Sequence, residues 1–377
     1  MTRIVVVGGG IVGCSASAFL AEAGADVILL ESTAIGAGAS GRNSGAVQHP
    51  FDSVLAALHR ETLEVYRSLL GFDLPAEPAG LLLLTDDADA AAARAGDLAR
   101  LHPELVPELL EPNDLAAAEP ILVRGLSAVR LATGYPIAPE AAVRAFERRA
   151  AASGAAVRIG APVAAVDASA GRVAGVRLVD GTLLEADAVL IAAGPWTPDL
   201  LGPWSSVRPI VRTWGVTVQV EMAQAPRHVL EEGVVHTVNT TVDDGPDLRG
   251  VESLFSMVAV DSVGTVGSTF LASEPDPANV APLLVERGAR LLPSLGNARV
   301  LRHRVCARPQ SIDGRPMVGW ISGIERLAVC AGHGPWGIST APASARMAAD
   351  LLLGGAPDIP AELDPARFDG GGISRHA

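Results

Sequence analysis

The sequence predicts an α/β fold in which a parallel sheet is assembled from widely separated stretches of chain, with an α+β module holding an antiparallel sheet inserted between them. Three observations predict it. Continuous apolar runs end in glycine turns at Gly8, Gly194 and Gly332, spread over the whole chain. Runs of that kind suit parallel strands buried on both faces. Alanine-rich helical segments follow the first and last of these turns. Over 207–271 the pattern changes to alternating and β-branched runs, as in an antiparallel sheet.

The first element is the strand Ile4-Val5-Val6-Val7, which runs into Gly8-Gly9-Gly10-Ile11-Val12-Gly13, a G-x-G-x-x-G match. A helix over 14–23 and a second strand, Val27-Ile28-Leu29-Leu30, follow and end at Glu31. In such a Rossmann-type unit Gly8 permits the tight turn, Gly10 lets backbone approach a pyrophosphate, and Gly13 lets the helix pack on the strand. The helix N-terminus around Ile11 and Val12 then holds the diphosphate. Glu31, followed by Ser32, is placed to accept from ribose hydroxyls, and its charge disfavours a 2′-phosphate. This establishes a dinucleotide site and leaves FAD and NAD open.

Residues 34–45 are rich in Gly, Ala and Ser and include Ser40, Arg42, Asn43, Ser44 and Gly45; they read as a loop tracking a ligand. Helical periodicity covers 53–70, a strand 80–85, two short helices 86–120, and a helix 139–152 with Pro139 in its first turn. Strands are expected over 157–159 and 162–166, with a hairpin at Asp180-Gly181. The buried strand 188–193 leads to Gly194. Alternating runs cover 213–221, 234–241, 254–260 and 265–271, and a helix lies near 279–292. The strand 327–331 leads through Gly332 into a helix over 341–353. The expected domains are a dinucleotide-binding one from 1–50, 139–205 and 300–365, and a substrate-binding one from 51–138 and 206–299. An irregular tail, 366–377, completes the chain.

The 377 residues carry a net charge of −13, which argues against nucleic acid or an anionic membrane as the main partner. All 29 basic residues are arginine, so no catalytic lysine or lysine Schiff base exists. Cys14, Cys306 and Cys330 are too few and too scattered for a disulfide framework or a zinc site. No metal is expected, and a reducing, cytoplasmic setting is. There is no apolar run long enough for a membrane span, and the apolar N-terminus lacks the basic start and cleavage site of a signal peptide.

With these residues in order, the chain resembles the D-amino-acid oxidase/glycine oxidase/sarcosine oxidase family of FAD enzymes. The likeness rests on the N-terminal fingerprint with Glu31, on Ser40-Gly41-Arg42-Asn43-Ser44-Gly45, on Val163, and on Ala192-Ala193-Gly194-Pro195-Trp196. The most specific part is a C-terminal pair of motifs. Arg308-Pro309-Gln310-Ser311-Ile312-Asp313-Gly314-Arg315-Pro316 matches R-P-x-[TS]-x-D-G-x-P, and Gly332-His333-Gly334 through Gly337 and Ile338 matches G-H-x-x-x-G.

The resemblance implies an FAD-binding domain with an inserted substrate domain. It also implies oxidation of a C–N bond by hydride transfer to flavin N5, giving an imine that hydrolyses. The residues matching its cofactor contacts include Ala193, Gly194, Trp196, Arg308 and His333. It assigns Arg308 to a substrate carboxylate, a task suited to the two-pronged guanidinium; the alternative is that Arg308 braces its own loop through Asp313. Glycine oxidases have a second Arg where this chain has Pro335, and a Tyr whose ungapped match is Phe255. A small, doubly anchored glycine is therefore disfavoured, and an N-substituted glycine or another bulky amine or amino acid is expected.

Cys306 matches the position of covalent flavin attachment in sarcosine oxidases, although non-covalent FAD is the first expectation. The oxygen-activating lysine of those enzymes is absent, so the electron acceptor is oxygen or another compound. His49 is a candidate catalytic residue, and Phe255, Trp214 and Trp336 are candidate pocket walls. Two other readings stay open. One is a 2-hydroxy-acid oxidase or dehydrogenase with His49 as base. The other is a flavin-bound subunit of an electron-transfer complex.

Overall fold

Ile4 and Val6 point into one core and Val5 and Val7 into another, which is why the opening strand has no polar alternation. The computed structural model describes residues 1–205, 208–233, 236–237 and 252–369. Its parallel unit begins with β1 (Arg3–Val7), α1 (Ile11–Glu22) and β2 (Asp26–Glu31), followed by α2 (Ser53–Arg67). The chain continues through β3 (Leu81–Thr85), β4 (Glu108–Leu110), β5 (Ser127–Leu131), α3 (Pro139–Ala152), β6 (Ala156–Ile159) and β7 (Ala188–Ile191). Next come β8 (Ile210–Glu221), β9 (Val229–Glu232), β10 (Glu252–Val260), β11 (Val263–Phe270), α4 (Pro277–Leu291) and β12 (Val300–Ser311). The C-terminal part holds β13 (Met317–Trp320), β14 (Leu327–Ala331) and α5 (Gly337–Leu352).

One sheet has the order β13-β14-β7-β1-β2-β6 and is parallel except for β13. Its strands β14, β7 and β1 are neighbours. Gly332, Gly194 and Gly8, which lie just beyond their C-terminal ends, all take positive φ (91°, 55° and 114°). Three glycine turns far apart in sequence thus meet at the carboxyl edge of one sheet, where open α/β sheets bind ligands. On one face α1 packs between α3 and α5, and α2 packs on α5.

The second sheet has the order β12-β8-β11-β10-β9-β3-β5-β4, with the short strand His236–Thr237 beside β10. In β8 the two-residue period sorts the side chains: Val216, Val218 and Val220 enter a core shared with Val280, Ala281 and Leu284 of α4. Gly215 and Thr217 face the other way, towards a large cavity. A third, three-stranded sheet holds Val163–Ser169, Arg172–Leu178 and Leu183–Glu185, with the expected turn at Asp180-Gly181.

The structure departs from the sequence reading in several places. β12 pairs with β8 in the second sheet, although 300–311 was expected with the dinucleotide segments. It is an edge strand with Leu301, Arg302 and His303 exposed, so its pattern lacks a buried strand's signature. α2 packs against α5 on the parallel-sheet side rather than in the inserted module. Residues 86–120 contain β4 besides two helices. The loop over 34–45 includes one helical turn, Ala39–Arg42. Of the expected tail, residues 366–369 are described: a short 3-10 turn, Pro365–Phe368, leads into it and Phe368 is buried. Most of the expected run 234–241 lies outside the described residues, as do 370–377.

Candidate active site

A cavity of about 820 Å³ runs from the β1–α1 turn to the inner face of the second sheet. Its first end is built by the fingerprint. Gly8, Gly10, Ile11, Val12, Glu31 and Ser32 line it. Gly10, the N-cap of α1, offers no side chain to cap it, and beyond Ile11 N–H the N–H groups of the first turn are left to a ligand. Ile11 N–H donates to Ser40 Oγ at 3.0 Å. Gly13 does not line the cavity; a Cβ there would sit 1.9 Å from Gly8 O, so its role is the close approach of helix to strand. Glu31 Oε2 accepts from Gly9 N–H at 2.7 Å, and Oε1 accepts from Thr33 N–H at 2.8 Å. These bonds aim the carboxylate at the cavity mouth.

The middle is lined by Ser40, Arg42, Asn43 and Ser44, by Val163, and by Ala193, Gly194 and Trp196. Asn43 Nδ2 donates to Ala39 O and Ser40 O, while its Oδ1 accepts from Gly45 N–H, which closes the turn. Gly45 has φ 90°, and a Cβ there would lie 2.4 Å from Ile137 O, so it shapes the wall from behind. From β12, Arg304 Nη2 donates to Asn43 O, and Arg42 Nη1 donates back to Val305 O. One arginine from each segment, Arg304 of β12 and Arg42 of the loop, therefore ties the loop to the second sheet. His333, Gly334, Trp336, Gly337 and Ile338 line the same region, with Gly332 just behind them.

At the far end lies Arg308. Its Nη1 donates to Thr269 O at 2.7 Å, its Nη2 donates to Ser268 Oγ, and the guanidinium lies over the Phe270 ring. It crosses Gly215, where a Cβ would sit 2.5 Å from Nη2, so the glycine makes room for it. No carboxylate pairs with it among the described residues. Asp313, the partner in the loop-bracing alternative, is held instead by Arg367 at 2.7 Å and by Ser311. Burial pushes the Arg308 guanidinium down from its ordinary value, the expected response of a cation without a counter-ion.

Three expected pocket residues lie elsewhere. Phe255 is fully buried in the core beneath the second sheet, against Gly288; its neighbours Leu254 and Ser256 face the cavity. Trp214 is on the same side of β8 as Val216, and Gly215 takes the cavity position. Gln48 lines the cavity, whereas His49 turns away to pack against the rings of Phe51, His59 and His102. Successive residues of extended chain point to opposite faces, so each expectation missed by one position. Glu231, Ser268 and Phe270 also line the cavity, and no motif in the sequence marks them.

His49 Nε2, His102 Nδ1 and Glu104 lie within 4.8 Å of one another. Phe51 N–H donates to His49 Nδ1 at 3.1 Å, so the ring hydrogen sits on Nε2 and faces Glu104 Oε1 at 3.4 Å. That nitrogen presents a donor there, not a lone pair for a metal.

Burial pushes His59 and His333 down from 6.5 to about 4. The unfolded chain therefore binds more protons than the folded one between these values. The stabilisation is complete above pH 6.5 and is lost as pH falls to about 4. Each histidine contributes on the order of 3 kcal/mol across that window. Urea midpoints measured across it should fall, and a His59→Gln protein should show about half the slope contributed by the pair.

Residues 3–351 match the family described as DAO, FAD dependent oxidoreductase. The chain belongs to this family. It is 28% identical to a glycine oxidase of Pseudomonas putida over 397 aligned positions, covering 97% of each chain. It is 30% identical to a D-amino acid dehydrogenase of Methylobacterium nodulans, over 69% of this chain and 60% of that one. Its fold matches that of an iminodiacetate oxidase of Chelativorans, with TM-score 0.81, 23% identity, and coverage of 96% of this chain and 99% of that one. The protein is thus an FAD-dependent oxidoreductase. Among the described residues no helix is long and apolar enough to cross a membrane.

The residues present fit FAD. The α1 N-terminus, with glycine at its N-cap, suits the diphosphate and Glu31 suits the ribose. The glycine turns leave backbone on the path, and the cavity continues to Arg308. Bound flavin supplies the acceptor for two electrons.

Proposed function

We propose that this DAO-family protein oxidises the C–N bond of an amino acid or secondary amine larger than glycine, such as an N-substituted glycine. The product imine then hydrolyses to a carbonyl compound and an amine. The observation that carries this reading is Arg308, a cation on the cavity wall with two neutral protein acceptors and no anionic partner among the described residues. A substrate carboxylate supplies the missing charge in bidentate geometry. Val229, Leu254, Val258 and Phe270 offer apolar surface to the remainder of a larger substrate. Pro335 stands where glycine oxidases have a second anchoring arginine, which fits the same choice.

Amine oxidation needs no strong protein base when the amine binds uncharged. A 2-hydroxy acid needs a base for its hydroxyl, and the histidine nominated for it, His49, is turned from the cavity. FAD is held without a covalent bond in this proposal: burial pushes the Cys306 thiol up, away from the reactive thiolate. Three unpaired, buried cysteines suit the proposed cytoplasmic setting. Oxygen or another compound takes the electrons onward.

The test is an anaerobic flavin-reduction screen over D- and L-amino acids, N-alkyl glycines and 2-hydroxy acids. Bleaching by an amino acid or N-alkyl glycine is expected, and re-oxidation in air separates an oxidase from a dehydrogenase. Bleaching by hydroxy acids alone, or by nothing, overturns the reading.

A further inference from the structure

The last strands of the cavity wall carry a second charged group that the reaction does not require. β9 ends in two adjacent acids that face opposite ways. Glu232 turns to the core side, where Arg287 Nε donates to it at 2.7 Å and Phe255 N–H donates at the same distance. Glu231 turns into the cavity. Its single hydrogen-bond partner among the described residues is Gln48 Nε2, at 3.3 Å, and no cation pairs with it there. A carboxylate taken from water without a counter-charge is costly, and burial accordingly pushes Glu231 up from its ordinary value. The chain neutralises one acid of the pair and leaves the other for something in the cavity.

The sheet register sets the span. Ser268, which accepts from Arg308, adjoins Gly267; Gly267 pairs with Ser256, and Ser256 pairs with Glu231. Two strand spacings, about 10 Å, therefore separate the backbone beside the guanidinium from the backbone of Glu231. An unpaired cation and an unpaired anion face one cavity across the length of a small extended molecule. Between them stand the hydroxyl of Ser256 and the apolar Leu254 and Val258.

We propose that Glu231 is a specificity determinant: it binds a cationic nitrogen at the far end of the substrate while Arg308 holds the carboxylate, so basic amino acids are preferred over neutral ones of equal length. This rests on the proposed amino-acid oxidation. A second carboxylate at that end would meet Glu231 with like charge and is selected against.

The experiment compares the holoenzyme on matched pairs, lysine against 2-aminoheptanoic acid and ornithine against norleucine, in both enantiomers. The readouts are kcat/KM from anaerobic flavin reduction and binding constants from the flavin spectral change. The wild type is expected to prefer the basic member by about tenfold to a hundredfold, and Glu231→Gln to remove most of that ratio. Glu231→Arg, checked for normal flavin content, should shift preference towards glutamate. A wild-type ratio near one, or a ratio that Glu231→Gln leaves intact, overturns the proposal. If neither member of any pair reduces the flavin but an N-alkyl glycine does, the role of Glu231 fails and the C–N oxidation stands; if N-alkyl glycines fail as well, the proposed oxidation itself fails; if 2-aminoheptanoic acid is oxidised as well as lysine, only the role of Glu231 fails.

Discussion

A Gly13→Ala protein is expected to purify with at least tenfold less flavin than the wild type. The added Cβ would lie 1.9 Å from Gly8 O and 3.4 Å from Val6 Cγ1. Gly8 cannot move aside. It has φ 114°, and on its other flank its own Cβ position is 2.4 Å from Ala192 O, just past the end of β7. The turn is held between α1 and a neighbouring strand, and both contacts are with backbone. Overpacking a well-filled core generally costs about 1–3 kcal/mol, and rigid backbone neighbours put this case at the upper end. Relief requires α1 to back away from β1, which displaces the helix N-terminus that meets the diphosphate. Gly24→Ala is the matched control. Unlike Gly13, Gly24 has positive φ (85°), and nothing lies within 4 Å of its Cβ position, so its substitution strains the local backbone without any steric clash. It should lose on the order of 1 kcal/mol of stability and keep its flavin. Equal flavin content in both variants would show that the close approach at Gly13 does not support the cofactor site.

The same contrast explains what the sequence reveals and what it hides. Gly8, Gly194 and Gly332 are legible because a tight turn at a buried strand's end leaves two marks, an apolar run and a glycine. Their meeting at one sheet edge follows from the parallel topology. Arg308 is legible through a motif dense in Gly, Pro and Asp. β12 is hidden because an edge strand that exposes Leu301, Arg302 and His303 and sends Arg304 into a loop does not look like a strand. Phe255, Trp214 and His49 mislead for a common reason. Large aromatic residues attract attention as pocket walls, but a cavity that must admit a ligand is lined on these strands by the smaller neighbours Ser256 and Gly215, and by Gln48. The bulky rings fill the opposite faces, where packing needs volume. Glu231 is hidden because an acid in a short strand reads as surface; only the register shows that it and Glu232 point to opposite sides.

Arg308→Ala is expected to lower kcat/KM on carboxylate-bearing substrates by roughly tenfold to a hundredfold, mostly through KM. A hydrogen bond to a charged group contributes about 1.5–3 kcal/mol, and each 1.36 kcal/mol is a factor of ten. The comparison that decides is the ratio against a decarboxylated analogue of the same length, which has no group for the guanidinium to hold. That ratio should fall by most of the same factor. Arg308→Lys should recover only part of it, because a point charge on a flexible stem does not reproduce two parallel N–H donors. Folding stability provides a further distinction. Among the described residues no anion pairs with this buried guanidinium, so its removal need not destabilise, although Thr269 O and Ser268 Oγ each lose a donor. A protein that keeps its urea midpoint and flavin content while losing the carboxylate preference identifies a ligand-binding arginine. Parallel losses on both substrates, together with a lower midpoint, would instead make Arg308 a brace between β12 and β11 and would remove the main support for a carboxylate substrate.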